Sequence, residues 1–191
     1  MTVRHTSGMD HPTTEELQAG LPHVIDSPKD NGVLEMVLRR PDVDQREVLD
    51  EAELSVDEGV VGDSWNQRSS SRTDDGGPHP DMQLNVMNAR ATDLVSGGDR
   101  DRWSLAGDQL YVDFDITEAN VPPGTRLAIG SAIIEVTDQP HTGCAKFTQR
   151  FGLDAHRFVN SRDRADLHLR GINAKVVTPG TIRPGDAVTK V

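Results

Sequence analysis

Cysteine is almost missing from this chain: Cys144 is the one thiol in 191 residues. A single thiol closes no intramolecular disulfide, which removes the disulfide-framework class of secreted domain. Aromatic residues make up 4% of the sequence and apolar residues 35%, so the core must rest on Val, Leu, Ile and Ala. No block of Lys and Arg interrupts a net charge of −11, and nucleic acid is not an expected partner. The start, MTVRHTSGMDHPTTEELQAG, has no apolar signal-peptide core, and LAIGSAIIEV, the most apolar later stretch, is far too short to span a bilayer. A soluble, cytoplasmic protein with no membrane contact is expected. Chemical motifs are sparse as well. No GxSxG, Walker-type GKS/T or strand-following glycine fingerprint occurs. His141-x-x-Cys144 has metal-ligand spacing, but the second tight pair of a structural zinc site is missing, and His79, His156 and His168 are scattered.

Turn formers are abundant instead. Seventeen glycines and eleven prolines predict many short elements rather than long helices. Residues 1–31 read as a partly ordered N-terminal arm, with one short helix in TTEELQAG. Thr13 and Glu16 are spaced there as a capping box, and Gly20 stands as a stop. From residue 32 to 191 strands dominate. GVLEMVLRRP places Leu34, Met36 and Leu38 on one face, and DQLYVDFDI points Leu110, Val112 and Phe114 one way with Asp113 and Asp115 solvated opposite. REVLDEAELSV permits strand or helix. GTRLAIGSAIIEV reads as a hairpin around Gly130, ARATDLVSGG as a short helix, and NAKVVTPG and RPGDAVTKV as closing strands. NQRSSSRTDDGGPHP, with Arg68, Arg72 and His79, is a disordered or an active-site loop. The fold class is mainly β: a barrel or sandwich decorated with short helices.

QPHTGCAKFTQRFG holds the thiol. Thr142 is a plausible N-cap and Gly152 a plausible C-terminal stop, which would place Cys144, Phe147 and Phe151 on one stripe and Lys146 with Arg150 on the next. In a first turn the helix dipole favours a thiolate, and His141 could point the same way. That makes Cys144 a nucleophile or metal ligand, or, with two phenylalanines on its stripe, a core-facing hydrophobe. Lys146 and Arg150 are likewise ligand contacts or a solvated face, and Asp63 in EGVVGDSW is a site residue or a turn residue.

The order of segments is familiar beyond any one of them. EGVVGDSW, then DQLYVDFDITEANVPPGTRLAIGSAIIEVTD, then QPHTGCAKFTQRFG, then LRGINAKVVTPGTIRPGDAV together resemble the MOSC domain family, named for the C-terminal domain of molybdenum cofactor sulfurases. The resemblance runs from about Gly32 to Val191. It departs at Gly143, where many members have Pro, and at His141, where others have Arg.

The resemblance implies a closed or partly open β-barrel in which Cys144 carries sulfur as a persulfide or ligates molybdenum of the pterin cofactor, molybdopterin. Lys146, Arg150, Arg68, Arg72, His141 and Asp63 are the implied cofactor-binding residues, with the cations meeting the pterin phosphate. A sulfurase domain using pyridoxal phosphate is not part of the resemblance, so a separate sulfur donor or redox partner is implied. Three functions follow: a molybdenum-cofactor-binding or sulfur-carrier protein, a molybdenum-dependent reductase of N-hydroxylated compounds, or a non-catalytic ligand-binding module that kept the barrel. A sealed Cys144 would favour the last, and an open cleft with converging Lys and Arg would count against it.

Overall fold

The computed structural model describes residues 11–70 and 72–191. In chain order its elements are α1 (Thr14–Ile25), β1 (Gly32–Arg39), β2 (Glu47–Leu49), β3 (Ala52–Ser55), β4 (Gly59–Val60), β5 (Leu84–Asn88), α2 (Ala89–Ser96), β6 (Leu110–Asp113), β7 (Arg126–Ile129), β8 (Ala132–Val136), α3 (Ala145–Val159), β9 (Ile172–Thr178), β10 (Gly180–Ile182) and β11 (Ala187–Lys190). Seven strands close a barrel in the order β1, β11, β7, β8, β9, β5, β6 and back to β1. β2 extends the sheet beyond β1, and β10, β3 and β4 form a small second sheet. REVLDEAELSV therefore resolves as two strands.

Barrel neighbours are antiparallel except β5 and β6. A parallel pair needs a crossover, and α2 with the turn after it supplies one. Asn88 caps α2 by accepting the Ala91 N–H at 3.0 Å, and Gly97 ends it in the left-handed conformation (φ 72°).

Two cores lie on either side of the barrel wall. Leu34, Val37, Val86, Leu110, Val112 and Phe114 fill the interior. Met36, Leu38, Met87 and Tyr111 face outward and are covered by Leu17 of α1 and Phe147 and Phe151 of α3. This corrects the expected alternation of β1. A bulge between Leu34 and Met36 shifts the register, so Leu34 and Val37 enter the barrel while Met36 and Leu38 join the outer core. On the strand ending at Asp113, Tyr111 is buried too, its hydroxyl donating to the Trp103 carbonyl at 2.8 Å. Asp115 is buried rather than solvated, accepting the Thr117 N–H at 2.9 Å.

The capping box at Thr13 and Glu16 is present, but α1 continues through Gly20 to Ile25. Gly20 is tolerated mid-helix because the Leu94 side chain packs where a Cβ would stand. Leu17 and Val24 are buried, so α1 packs into the body. Residues 1–10 of the expected arm lie outside the described residues. Among the described residues no helix is long and apolar enough to cross a membrane.

Candidate functional site

The cysteine segment forms a helix whose cap lies later than Thr142. Cys144 itself is the N-cap of α3, with extended backbone at φ −106° and ψ −178°. An N-cap residue sits outside the helical spiral. Cys144 therefore leaves the stripe of Phe147 and Phe151: those rings are buried, whereas the thiol is exposed and makes no capping bond.

Gly152 (φ 87°, ψ 168°) bends α3 rather than ending it. A straight helix of 15 residues would hold its ends roughly 22 Å apart. Here the C-cap, Asn160, folds back to the beginning. Gly143 donates its N–H to Asn160 Oδ1 at 2.9 Å, and Asn160 Nδ2 donates to the Gly143 carbonyl at 3.3 Å. His156 Nε2 lies 3.1 Å from the same carbonyl. The bend thus builds a clamp on the residue before the cysteine.

Cys144 opens on a cleft of about 330 Å³. Arg40, Arg46, Arg68, Lys146 and Arg150 line it, against only Asp42 and Asp44. Asp44, in a left-handed turn (φ 59°), accepts from Lys146 Nζ at 2.9 Å and Arg150 Nη2 at 2.8 Å. The Lys146 hydrogen bond, helped by the charges of Lys146, Arg150 and Arg46, holds the Asp44 carboxyl below its usual range. Arg46 has no such partner for its Nε, which is buried with no hydrogen bond among the described residues. Burial and then Arg150 pull the Arg46 guanidinium below its ordinary value, and burial and then Arg40 do the same for Arg68. Both stay charged at neutral pH. Positive charge crowded on positive charge is a demand for an anion.

Arg40 forms the back wall. Its Nε and Nη2 reach the two Asp63 oxygens at 3.0 Å each, and its Nη1 meets Asn85 Oδ1 and the Gly107 carbonyl, also at 3.0 Å. Asp63 accepts the Arg40 and Trp65 backbone N–H groups as well, at 2.8 and 2.9 Å. With every lone pair engaged and its side chain fully buried, Asp63 positions Arg40 rather than facing the cleft.

The structure brings Cys144, Lys146, Arg150 and Arg68 to one cleft. Arg72 lies outside it, with Nη1 3.5 Å from Gln139 Oε1, and His79 lines an adjoining hollow shared with Arg40 and Arg68. His141 does not line this cleft and instead lines a neighbouring cavity, with Nδ1 3.5 Å from buried Asp108. Arg40, Arg46 and Asp44 escaped sequence reasoning. Their signal was RRPDVDQR, a charge-dense turn directly after a strand, at a barrel rim that only the closed topology identifies. Among the described residues no three His, Cys, Asp or Glu side chains group as a metal site.

Residues 79–189 match the family model described as the MOSC domain. Among solved structures, the YuaD protein from Bacillus subtilis is similar in fold, with a TM-score of 0.61 at 16% identity over 83% of this chain and 94% of that one. A hypothetical protein gives 0.55 at 20% identity, covering 85% and 69%. YiiM from Escherichia coli gives 0.52 at 20% identity, covering 83% and 69%. No curated protein matches the sequence. With a family match over more than half its length, on a closed barrel that presents its single thiol at a helix start, the chain belongs to the MOSC domain family.

Proposed function

We propose that this is a molybdenum-cofactor-binding or sulfur-carrier protein of the MOSC type, with Cys144 as its working sulfur. The observation that carries this reading is an exposed thiol at the start of a helix, inside an open cleft lined by five cationic side chains. The residues fit the cofactor on two counts. A metal carried on an organic cofactor needs few protein ligands, and a lone soft thiolate suits it where a zinc cage would need four donors. The buried, unbonded Arg46 Nε, beside Arg68, Lys146 and Arg150, fits a phosphate. When bound, the cofactor supplies the redox chemistry of its metal. The chain's own residues hold it: Cys144 by its sulfur, Arg46 and Arg68 by guanidinium hydrogen bonds, Lys146 and Arg150 by charges that Asp44 otherwise occupies.

As a carrier, the Cys144 thiolate attacks the outer sulfur of a separate persulfide donor. The donor's sulfur–sulfur bond breaks, the outer sulfur with its proton joins Cys144, and the donor leaves as a thiolate. A reduced, unpaired thiol is suited to the cytoplasm. The open, cationic setting of Cys144 argues against a module that has lost its chemistry. Reduction of N-hydroxylated compounds would use the same site with an external reductant.

The test is molybdenum and sulfane-sulfur analysis of protein purified from a host that makes the cofactor. Molybdenum or labile sulfur in the wild type and its loss in Cys144→Ser are expected. Neither in the wild type, or equal loading of the variant, overturns the reading.

A further inference from the structure

Behind the cysteine segment lies a second, larger cavity of about 680 Å³. Residues 141–143 are the partition: Cys144 lines the cationic cleft, whereas His141, Thr142 and Gly143 line this cavity. Its walls include Val136, Val159 and Ile172, and its rim carries mixed charge from Glu118, Asp138 and Arg162.

Several polar side chains there are already engaged. Asn160 clamps Gly143, His168 Nδ1 lies 2.9 Å from the Ile116 carbonyl, and Thr137 donates to the Asp81 carbonyl at 2.6 Å. His141 is different. Its side chain is only 11% exposed, and its Nδ1 is buried without a hydrogen bond among the described residues. That nitrogen lies 3.5 Å from Oδ1 of Asp108, a fully buried carboxylate gripped by Arg170 at 2.8 and 2.9 Å. Gly171 permits this seat, since a Cβ there would stand 3.0 Å from His141 Nδ1.

A carboxylate oxygen beside Nδ1 favours the tautomer that keeps the proton on that nitrogen. Nε2, the other ring nitrogen, then carries the lone pair that His141 can offer to the cavity it lines. Burial first, then Arg170 and Arg40, push the His141 pKa well below its ordinary 6.5, so the ring stays a neutral acceptor. A carboxylate at this floor would set lone pair against lone pair. An ammonium would meet the field of Arg170 and Arg40. A neutral group with a weakly acidic hydrogen satisfies both constraints, because the same field polarises its bond toward Nε2.

We propose that this cavity is a second small-molecule site, separate from the cationic cleft, for a neutral and largely apolar molecule that donates a weakly acidic O–H or N–H to His141 Nε2. The site stands whether or not Cys144 carries molybdenum or sulfur.

Phenol, benzoate and benzylammonium share a ring and differ in head group, and they test it on the isotope-labelled full chain by magnetic resonance. Phenol is expected to shift the Gly143, Asn160 and Gly171 amides and to bind roughly tenfold tighter than either ion. His141→Phe removes that margin, and Cys144→Ser leaves it intact. Without any variant, the His141 Nε2 resonance moves on adding phenol more than Nδ1 does. Benzoate or benzylammonium binding as well as phenol, shifts confined to Arg46 and Lys146, no saturable shift with any probe, or undiminished phenol binding in a folded His141→Phe chain overturns the proposal.

Discussion

Arg46 carries the sharpest unmet demand in the cleft. Its Nη1 donates to the Asp44 carbonyl at 3.1 Å, but among the described residues its buried Nε has no partner, while Lys146 and Arg150 already share the Asp44 carboxylate and Arg40 is tied to Asp63. Arg46→Ala should therefore weaken inorganic pyrophosphate binding roughly tenfold or more by calorimetry, the worth of a charge-assisted pair. Arg72→Ala, altered outside the cleft, should leave that affinity unchanged. Equal losses would show that general positive charge, not the cleft, does the binding. At this scale the sequence was informative about the thiol and its neighbours in the same segment, because Cys144, Lys146 and Arg150 are fixed by one short helix. It was silent on Arg46, which reaches the site from a turn about a hundred positions earlier, and on the second cavity that His141 lines. Nothing in HTGC reveals that a buried Asp108, in the loop before β6, lies 3.5 Å from that ring.

At the scale of elements, the bend in α3 connects folding to the site. The helical run before Gly152, with that glycine as its stop, was legible, but a glycine signals a break without giving its angle. Only the return of Asn160 to Gly143 shows that the halves fold back. Gly152 holds a backbone conformation essentially reserved for glycine (φ 87°, ψ 168°), and a Cβ would also press on His11 at 3.0 Å. Gly152→Ala is expected to cost about 1–3 kcal/mol in urea unfolding and to weaken pyrophosphate binding as well, since the clamp on the cysteine segment would shift. Lost stability with undiminished binding would mean that the bend only packs. The β1 bulge was hidden for a related reason. A strand read from alternation alone cannot announce that apolar residues on both its faces are wanted, one for the barrel and one for the helices outside it.

For the molecule as a whole, the net charge of −11 conceals a cationic cleft, because acidic residues spread over the surface while the cations converge. The turn-rich composition agrees with a barrel of short elements, and the order of segments identified the family; two cores separated by a barrel wall were beyond both. The buried histidine gives the chain a pH signature. In the unfolded chain His141 protonates near 6.5, whereas the folded chain keeps it neutral to well below that value. Its contribution is fully present above 6.5 and is lost as pH falls toward the folded value. Stability should thus decline on acidification from about pH 7 to about pH 5, by at most about 1.4 kcal/mol per pH unit from this residue. His141→Phe should flatten the decline in urea midpoints. An identical slope in the variant would place the effect elsewhere.

Both forms of the proposed chemistry require Cys144 to act as an accessible thiolate in a field that draws anions. The most direct measurement is the rate at which native Cys144 is alkylated near neutral pH by iodoacetate, which is anionic, relative to neutral iodoacetamide, with glutathione as reference. The excess of cations over carboxylates in the cleft that the thiol lines predicts a ratio at least roughly tenfold above that of glutathione, falling as salt is added. A thiol inert to both reagents, or a ratio no greater than that of glutathione, would contradict the account.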